Sequence, residues 1–386
     1  MNILNNLVKK PNILIASPNK SSYSETFIKA HIELLNGNIY HVYDGNYPRK
    51  TSEDVSLDTY FIKSFRGRII GLMPNTIQYK LFPRLNSLEE GLKSYIKAKK
   101  IDVVLAEYGT TGAEIFETCK KVGVPLIVHF HGFDASEKET LKKYSVKYNL
   151  MFDYCSHVIV VSKKMHSDLV RFGANLQKIV LNTYGPSYAF FDLKPNYHSK
   201  SFFAVGRFTE KKAPHLTILA FKKVVEKFPE AELIFAGDGL LLPICRDLCY
   251  QLKIPNVTFT GPINPEEVKN KMENSFCFLQ HSVIASNGDS EGTPVAVLEA
   301  QAAALPIIST RHAGIPDVVL DKETGLLVEE GDVEAMANAM IELYEDREKA
   351  KVMGEKGKKR VLEHFTMDKH IGKIDEILLS VVGNNA

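Results

Sequence analysis

Residues 201–206 have the sequence Ser-Phe-Phe-Ala-Val-Gly, an apolar run that ends at a glycine. A strand whose residues are nearly all apolar is buried on both faces, which is typical of a parallel sheet covered by helices. Five more such runs follow, at residues 231–236, 256–260, 276–279, 305–309 and 325–328. Helical patterns separate these runs, so this part of the chain predicts a doubly wound α/β domain.

The same pattern occurs earlier in the chain. Apolar runs lie at residues 12–16, 39–43, 102–106, 125–130, 157–161 and 178–181, and a Tyr-, Pro-, Asn- and Ser-rich break follows at 182–200. A chain of 386 residues also suits two cores better than one. We therefore predict two Rossmann-like domains, residues 1–185 and 186–365, with a C-terminal helix at 366–386 that packs back on the first domain. Ligands of such folds bind at the carboxyl ends of the strands, which predicts a site in the cleft between the domains.

Composition indicates a soluble globular protein, with 45% hydrophobic and 24% charged residues. No apolar run reaches the roughly 18 residues that span a bilayer, and the N-terminus lacks a signal-peptide pattern. The five cysteines are scattered. Cys245 and Cys249 lie four residues apart without a second pair, so we interpret them as reduced packing residues rather than metal ligands. We expect a cytoplasmic protein.

The charge is unevenly distributed. Residues 1–185 contain 25 basic and 17 acidic side chains, whereas residues 186–386 contain 23 and 29. Within the first half, residues 61–100 hold nine basic and two acidic side chains among bulky apolar ones. This segment suits either an anionic membrane surface, on the inner face of the plasma membrane, or an ordinary solvated basic face. We expect no nucleic-acid partner.

Residues 287–300 predict a loop that turns into a helix. Thr293 is a suitable N-cap, and Pro294 suits the first helical position. The free N–H groups of Gly292, Thr293 and the next residues can bind phosphate at such a helix start. Glu291 and Glu299 bracket it, and because carboxylates repel phosphate they suit sugar hydroxyls better. An ordinary capped helix with an acidic start is the alternative.

Two further segments of the first half follow strands. The loop at residues 17–28 has no Gly-x-Gly-x-x-Gly fingerprint, and Ser22 or Ser24 can cap its helix. It contributes either to substrate binding, through Ser24 and Glu25, or only to an ordinary helix start. His129 and His131 alternate to one face of a strand end. They are interpreted as a hydrogen-bonding group for a substrate hydroxyl, as structural histidines, or as metal ligands, although no third ligand has suitable spacing.

In the second half, Gly206, Arg207 and Lys212 follow the first predicted strand. Two cations at the carboxyl end of a strand suit a pyrophosphate, because Arg binds oxygens bidentately and Lys supplies a point charge. Ordinary surface basic residues are the alternative.

These motifs together resemble retaining glycosyltransferases of family 4, which have the GT-B fold. Glu291 and Glu299, with seven residues between them, resemble the Glu-x7-Glu motif, and Gly206, Arg207 and Lys212 resemble the Gly-Arg…Lys motif. Residues 236–239, 290–294 and 309–316 are similar to other family segments, in the right order. The first half resembles the family more loosely, through residues 24–28 and 131–132. Residues 24–28 are similar to members that build capsular polysaccharide, exopolysaccharide or O-antigen chains, although the glycine-rich first loop of many members is replaced here.

The resemblance implies a role for each site residue. Arg207 and Lys212 bind the diphosphate, Glu291 holds the donor sugar, and His131 contacts that sugar near the reacting centre. Gly206, Gly237, Gly292, Thr293 and Pro294 line the donor site, Glu299 binds the ribose, and Ile263 contacts the base through its backbone. The leaving phosphate acts as the base, and neither a metal nor another cofactor is needed.

We therefore expect hexose transfer from a UDP- or GDP-linked sugar to a lipid-linked or growing polysaccharide. A sugar-nucleotide epimerase or a glycan phosphorylase on the same scaffold is the alternative. A non-catalytic sugar-nucleotide-binding protein is a third interpretation.

Overall fold

The computed structural model describes residues 10–20, 25–74 and 86–382. Its strands form two separate sheets, one of seven strands and one of six. Each sheet is covered by helices, as buried apolar strands require. The chain is thus an α/β protein with two Rossmann-like domains, as the apolar runs predict. Within the described ranges, no helix combines the length and the apolar composition needed to cross a bilayer.

The first sheet has the strand order β3-β2-β1-β4-β5-β6-β7, and all pairs are parallel except β2 with β3. Its strands are β1 (Asn12–Ala16), β2 (Asn38–Tyr43), β3 (Lys50–Thr51), β4 (Val103–Glu107), β5 (Leu126–His129), β6 (His157–Val160) and β7 (Ile179–Leu181). The helices of this part are α1 (Thr26–Leu34), α2 (Leu57–Lys63), α3 (Phe65–Gly71), α4 (Ser87–Ala98), α5 (Gly109–Val122), α6 (Phe133–Ser136), α7 (Lys138–Tyr154) and α8 (Lys163–Arg171).

The second sheet is parallel throughout, with the order β10-β9-β8-β11-β12-β13. Its strands are β8 (Ser201–Val205), β9 (Glu232–Ala236), β10 (Val257–Phe259), β11 (Cys277–Gln280), β12 (Ile307–Thr310) and β13 (Gly325–Val328). The helices are α9 (Pro214–Lys227), α10 (Leu242–Gln251), α11 (Pro265–Glu273), α12 (Val295–Ala302), α13 (Ile315–Val318), α14 (Val333–Glu345) and α15 (Arg347–His364). Successive strands are added on one side of β8 up to β10 and on its other side from β11 onward. Between β8 and β11, where the strand order switches, this fold opens a ligand crevice.

The last helix, α16 (Met367–Val382), lies against the first sheet rather than the second. Its buried residues Ile371, Ile374 and Ile377 share a core with Ile13 and Ile15 of β1. Such a buried apolar helix face against a sheet removes enough area from water to fix the helix there. Residues 367–382 therefore belong structurally with the first domain, although they follow the second in sequence.

The structure corrects the predicted start of the helix after residue 290. α12 begins at Val295, and Pro294 occupies the N-cap position, so Thr293 is not the cap. The hydroxyl of Thr293 donates instead to the carbonyl oxygen of Val161, at 2.6 Å. This bond joins the second domain to the loop after β6, a tertiary contact that a local capping rule does not anticipate.

Candidate active site

The loops after β8 and β9 lie in close contact at the carboxyl end of the second sheet. A Cβ atom on Gly237 would lie 2.0 Å from the carbonyl oxygen of Gly206, so only glycine fits at residue 237. Gly206 itself has φ +155° and leaves its space to the side chain of Lys212. A pocket lies at these strand ends, and it is lined by Gly206, Arg207, Lys212 and Gln280.

Lys212, which lines this pocket, forms an ion pair with Glu291. The Lys212 Nζ lies 3.1 Å from Oε1 of Glu291 and 3.2 Å from Oε1 of Gln280. Burial alone would raise the pKa of Glu291, but the charges of Lys212 and Lys211 outweigh it and lower the pKa to about 2. Burial lowers the pKa of Lys212, and Glu291 partly offsets that effect. The pair is therefore a fixed carboxylate beside a desolvated cation.

Arg207 differs from Lys212 because its side chain is exposed. Its guanidinium has no hydrogen-bond or ion-pair partner within the part of the chain that the structure describes. A free guanidinium near a partly buried ammonium can bind an anion with several oxygens. The structure thus brings the two predicted cations to one pocket, one held in place and one free.

A buried histidine holds the backbone of Glu291. The N–H of Glu291 donates to Nε2 of His312 at 3.0 Å, and Nδ1 of His312 lies 2.6 Å from a carboxylate oxygen of Glu330. Because the carboxylate can only accept, Nδ1 carries the proton and Nε2 is free to accept. His312 lies within the predicted segment 309–316, but sequence reasoning assigned it no role.

The loop that contains Gly292 touches the first domain. A Cβ atom on Gly292 would lie 2.3 Å from the carbonyl oxygen of His131, and the N–H of Ser290 donates to Oγ of Ser136 at 3.1 Å. Gly132 has φ +156° and lies close to the carbonyl of Ser290. The predicted cleft is therefore closed by backbone contact at this point, between the loops after β5 and β11.

The start of α12 keeps free donors. The N–H groups of Val295 and Ala296 have no acceptor in the described ranges, whereas the N–H of Val297 already bonds to the carbonyl of Pro294. Gly292, Thr293 and Pro294 are buried in front of this helix start. The helix start can still supply N–H groups to an anion, although its cap differs from the predicted one.

Glu299 lies within α12 and is half-buried. Burial raises its pKa to about 7, and no ion pair of Glu299 occurs among the described residues. A carboxyl group in this state can switch between donor and acceptor near neutral pH. Ile263, the residue predicted to contact the base, is partly buried in the loop after β10.

His131 is enclosed by protein on both sides of its ring. Its Nε2 lies 2.8 Å from Oε2 of Glu107, its Nδ1 lies 2.6 Å from the hydroxyl of Tyr184, and its ring stacks on Phe27 at 4.3 Å between centroids. Of the three sequence interpretations, this geometry fits the structural histidine best. A contact from the ring to a sugar requires one of these hydrogen bonds to break.

Asp134 fixes the turn after His131. Its buried carboxylate accepts from the N–H groups of Gly109, His131 and Gly132 at 2.8, 3.0 and 2.9 Å. Asp side chains commonly accept hydrogen bonds from nearby backbone N–H groups in turns. The signal for this turn is therefore present in the sequence, although Asp134 was assigned no role from it.

His129 has a different set of neighbours. Ligand atoms of His31, Glu107 and His129 all lie within 4.8 Å of one another, and all three side chains are buried. His31 and Glu107 are remote in sequence from His129, so spacing alone could not supply the missing ligands. Both carboxylate oxygens of Glu107 already have imidazole partners, His31 at 2.6 Å and His131 at 2.8 Å.

The acceptor-side loop is only partly described. Ser22 and Ser24 lie outside the described residues. Glu25 is the residue before α1, and its carboxylate accepts from the hydroxyl of Tyr108 at 2.9 Å and from Asn19 at 3.2 Å. The ring of Tyr108 lies edge-on to His131, with 4.6 Å between the ring centroids. Glu25 is therefore linked to His131 through Tyr108.

All five cysteines are buried and unpaired, which confirms their interpretation as packing residues. Cys245 and Cys249 lie on α10 within the core of the second domain.

Comparison with known proteins agrees with this architecture. The family model "Glycosyl transferases group 1" matches residues 189–360, and the model "Glycosyltransferase Family 4" matches residues 37–182. The capsular polysaccharide biosynthesis glycosyltransferase CapM of Staphylococcus aureus is 26% identical over 374 residues, covering 90% of this chain and 94% of CapM. The amylovoran biosynthesis glycosyltransferase AmsK of Erwinia amylovora is 29% identical over 255 residues, covering 63% of this chain and 61% of AmsK. The match thus spans about three fifths of the length of AmsK.

The fold also matches a solved structure. The crystal structure of HepE from Anabaena, in complex with UDP and glucose, superposes with a TM-score of 0.74 at 15% identity, covering 96% of this chain and all of that chain. This likeness concerns the fold, which is GT-B. Since the two family models together match most of the sequence, the chain belongs to the group 1, family 4 glycosyltransferases.

Proposed function

We propose that this chain is a retaining glycosyltransferase that moves a hexose from a UDP- or GDP-linked sugar to a lipid-linked or growing polysaccharide acceptor. The observation that carries the proposal is the pocket at the end of β8, which Arg207 and Lys212 line, together with the ion pair between Lys212 and Glu291. Cations there suit a diphosphate, and a fixed carboxylate beside them suits sugar hydroxyls. The names of AmsK and CapM support polysaccharide biosynthesis as the setting.

In this proposal each element binds one part of the donor. Arg207 and Lys212 bind the diphosphate, together with the free N–H groups at the start of α12. Glu291 accepts from hydroxyls of the hexose, and Glu299, once ionised, accepts from the ribose. The backbone near Ile263 contacts the base. The UDP in the HepE structure supports a uridine donor, but GDP remains an equal candidate because backbone contacts distinguish bases weakly.

The proposed reaction is an electrostatically driven displacement. The bond between the anomeric carbon and the β-phosphate oxygen breaks, and the nucleoside diphosphate leaves with the electron pair. The acceptor hydroxyl oxygen bonds to the anomeric carbon on the same face, and its proton passes to the departing phosphate oxygen. Arg207 and Lys212 stabilise the charge that develops on that oxygen, so the proposed transfer needs no metal ion.

The acceptor side is proposed to face a membrane surface. α2 exposes Ile62 beside Lys63, and α3 exposes Ile69 beside Arg68. Leu72, just after α3, is 87% exposed. Apolar and basic side chains on one surface favour anionic lipid. Residues 75–85 of the basic segment lie outside the described ranges. On this account the enzyme is cytoplasmic and peripheral on the inner membrane face. Sedimentation with phosphatidylglycerol vesicles tests this, and equal binding of a Leu72→Asp variant would contradict it.

The experiment that tests the function is a donor panel. UDP-, GDP- and ADP-hexoses are incubated with the protein, with and without a membrane extract as acceptor source, and released nucleotide and glycan products are measured. We expect acceptor-dependent release from one donor and none with Glu291→Ala. Interconversion of the sugar without acceptor would indicate an epimerase, and release of sugar phosphate from glycan and free phosphate would indicate a phosphorylase. Nucleotide binding without any turnover would indicate a non-catalytic binding protein.

A further inference from the structure

Four buried histidines surround a single carboxylate behind the candidate site. Glu107 ends β4, His129 ends β5, His131 follows it, His31 lies on α1 and His370 lies on α16. None of these side chains belongs to the donor pocket. Buried ionisable groups are costly unless they are paired, so a cluster of five requires an explanation.

The cluster is a chain of hydrogen bonds. Nε2 of His370 lies 2.8 Å from Nε2 of His31, whose Nδ1 lies 2.6 Å from Oε1 of Glu107. The second oxygen of Glu107 lies 2.8 Å from Nε2 of His131. The chain therefore runs from the C-terminal helix to the turn that touches the donor loop.

His131 has one hydrogen-bond partner at each ring nitrogen. Burial alone would raise the pKa of Glu107, but its interactions with His31 and His131 outweigh burial and hold the pKa well below its ordinary value. An ionised carboxylate only accepts, so Nε2 of His131 carries a proton. Burial raises the pKa of Tyr184 well above its ordinary value, so the phenol keeps its proton, and its hydroxyl lies 2.6 Å from Nδ1 of His131. The His131 ring is thus held by a hydrogen bond at each of its two nitrogens.

We infer that Glu107, His31 and His370 are positioning residues for His131, and that the C-terminal helix α16 is thereby part of the candidate active site. Only the expected effect of these residues on turnover rests on the proposed function. The structural basis for positioning is the close approach of His131 and Gly132 to the donor loop, where the carbonyl of His131 leaves no room for a side chain at residue 292.

Two further contacts fix α16 in this position. The side-chain amide of Asn182 donates to the carbonyl of His370 at 3.0 Å, and the N–H of Asn36 donates to Asp375 at 2.9 Å. Both contacts join α16 to the first domain. These contacts keep the imidazole of His370 within hydrogen-bond distance of His31, so that the chain of hydrogen bonds stays intact.

A bound metal ion is the competing explanation of the same cluster. His31, Glu107 and His129 offer three ligand atoms, and both ring nitrogens of His129 lack a hydrogen-bond partner among the described residues. The hydrogen-bonded chain is favoured because the two oxygens of Glu107 are already bonded to imidazoles. Metal analysis of the purified protein separates the two explanations.

The test uses long-range proton–nitrogen NMR of the full chain labelled with ¹⁵N-histidine, without donor. A His131→Gln variant assigns the His131 signals. We expect a single His131 signal pattern in the wild type, with a proton on Nε2. In Glu107→Gln, the side-chain amide has only one oxygen acceptor for the two imidazoles that the carboxylate oxygens contact. We therefore expect the His131 signals to move. In His370→Leu we expect a smaller movement of the same signals.

The matched control is Ile374→Ala, which removes a buried side chain from the same helix without touching the chain of hydrogen bonds. It should lower the thermal stability and leave the His131 signals in place. With a donor found in the panel, His370→Leu should lower kcat roughly 10- to 100-fold, with KM for the donor within about threefold.

Three outcomes would overturn the inference. These are His131 signals that do not move in folded Glu107→Gln or His370→Leu protein, an equal movement in Ile374→Ala, or about one equivalent of bound zinc that EDTA removes together with the signal pattern. The NMR result does not depend on turnover. Absence of any donor reaction would therefore refute the proposed function, while the NMR signals would still decide whether these residues position His131.

Discussion

The Nζ of Lys212 lies 3.1 Å from the carboxylate of Glu291, although the two residues come from loops after different strands, β8 and β11. These strands are neighbours in the sheet, at the point where the strand order switches. The fold thus places a desolvated cation and a carboxylate of lowered pKa at its ligand crevice. A diphosphate that binds here competes with Glu291 for Lys212 and adds Arg207, which is free.

Gly292→Ala should lower the rate of transfer about 100-fold. The added Cβ would lie 2.3 Å from the carbonyl of His131, a distance that forces the donor loop away from the first domain. A displacement of about 1 Å at a reacting centre costs about 100-fold in rate. Gly372→Ala is the matched control, since a Cβ there meets nothing within 4 Å and the residue lies inside a helix. Turnover assays decide, and wild-type kcat in Gly292→Ala would contradict the predicted crowding.

His312→Phe should reduce kcat by roughly 10- to 100-fold while nucleotide affinity stays within about threefold. The phenyl ring fills the space but cannot accept the N–H of Glu291, so the carboxylate loses its orientation. Glu330→Gln is the control, because its amide oxygen still accepts from Nδ1 and should keep most activity. Steady-state kinetics and calorimetry with the nucleotide distinguish orientation from binding. A large loss of nucleotide affinity in His312→Phe would argue against this role.

Glu299 should make stability fall as pH rises. Its pKa in the folded state is raised to about 7, so between about pH 4.5 and 7 the folded chain binds more protons than the unfolded chain. The free energy of unfolding therefore decreases through this range, by on the order of 1–3 kcal/mol. Glu299→Gln should lose this dependence. Urea unfolding at pH 5 and pH 8 measures it, and an identical pH response in both proteins would show that Glu299 titrates normally.

The sequence predicted both sheets because nearly every strand is a continuous apolar run. β3, with only Lys50 and Thr51, was missed since two residues carry no such pattern. The Gly206, Arg207 and Lys212 cluster was predictable because all three residues follow one strand. The cap at Thr293 was wrong because the hydroxyl of Thr293 bonds to Val161 of the other domain, and no local rule contains that partner.

The histidine cluster lay beyond sequence reasoning for a related reason. His31 and His370 are 339 residues apart, and only the return of α16 to the first domain brings them together. His129 and His131 were recognised as chemically significant, but their partner Glu107 is the last residue of a buried strand. A buried carboxylate at a strand end gives no periodic signal, so its role appears only with the fold.

The measurement that tests the central claim most directly is calorimetric titration of UDP and GDP into the wild type and an Arg207→Ala/Lys212→Ala variant. Arg246→Ala, a basic residue on α10, serves as the control for the loss of positive charge. We predict binding of at least one nucleotide to the wild type and to the control. The double variant should bind it at least about 30-fold more weakly, since each charge-assisted contact contributes about 1.5–3 kcal/mol. Equal affinity in all three proteins would contradict the proposal that this pocket holds the diphosphate.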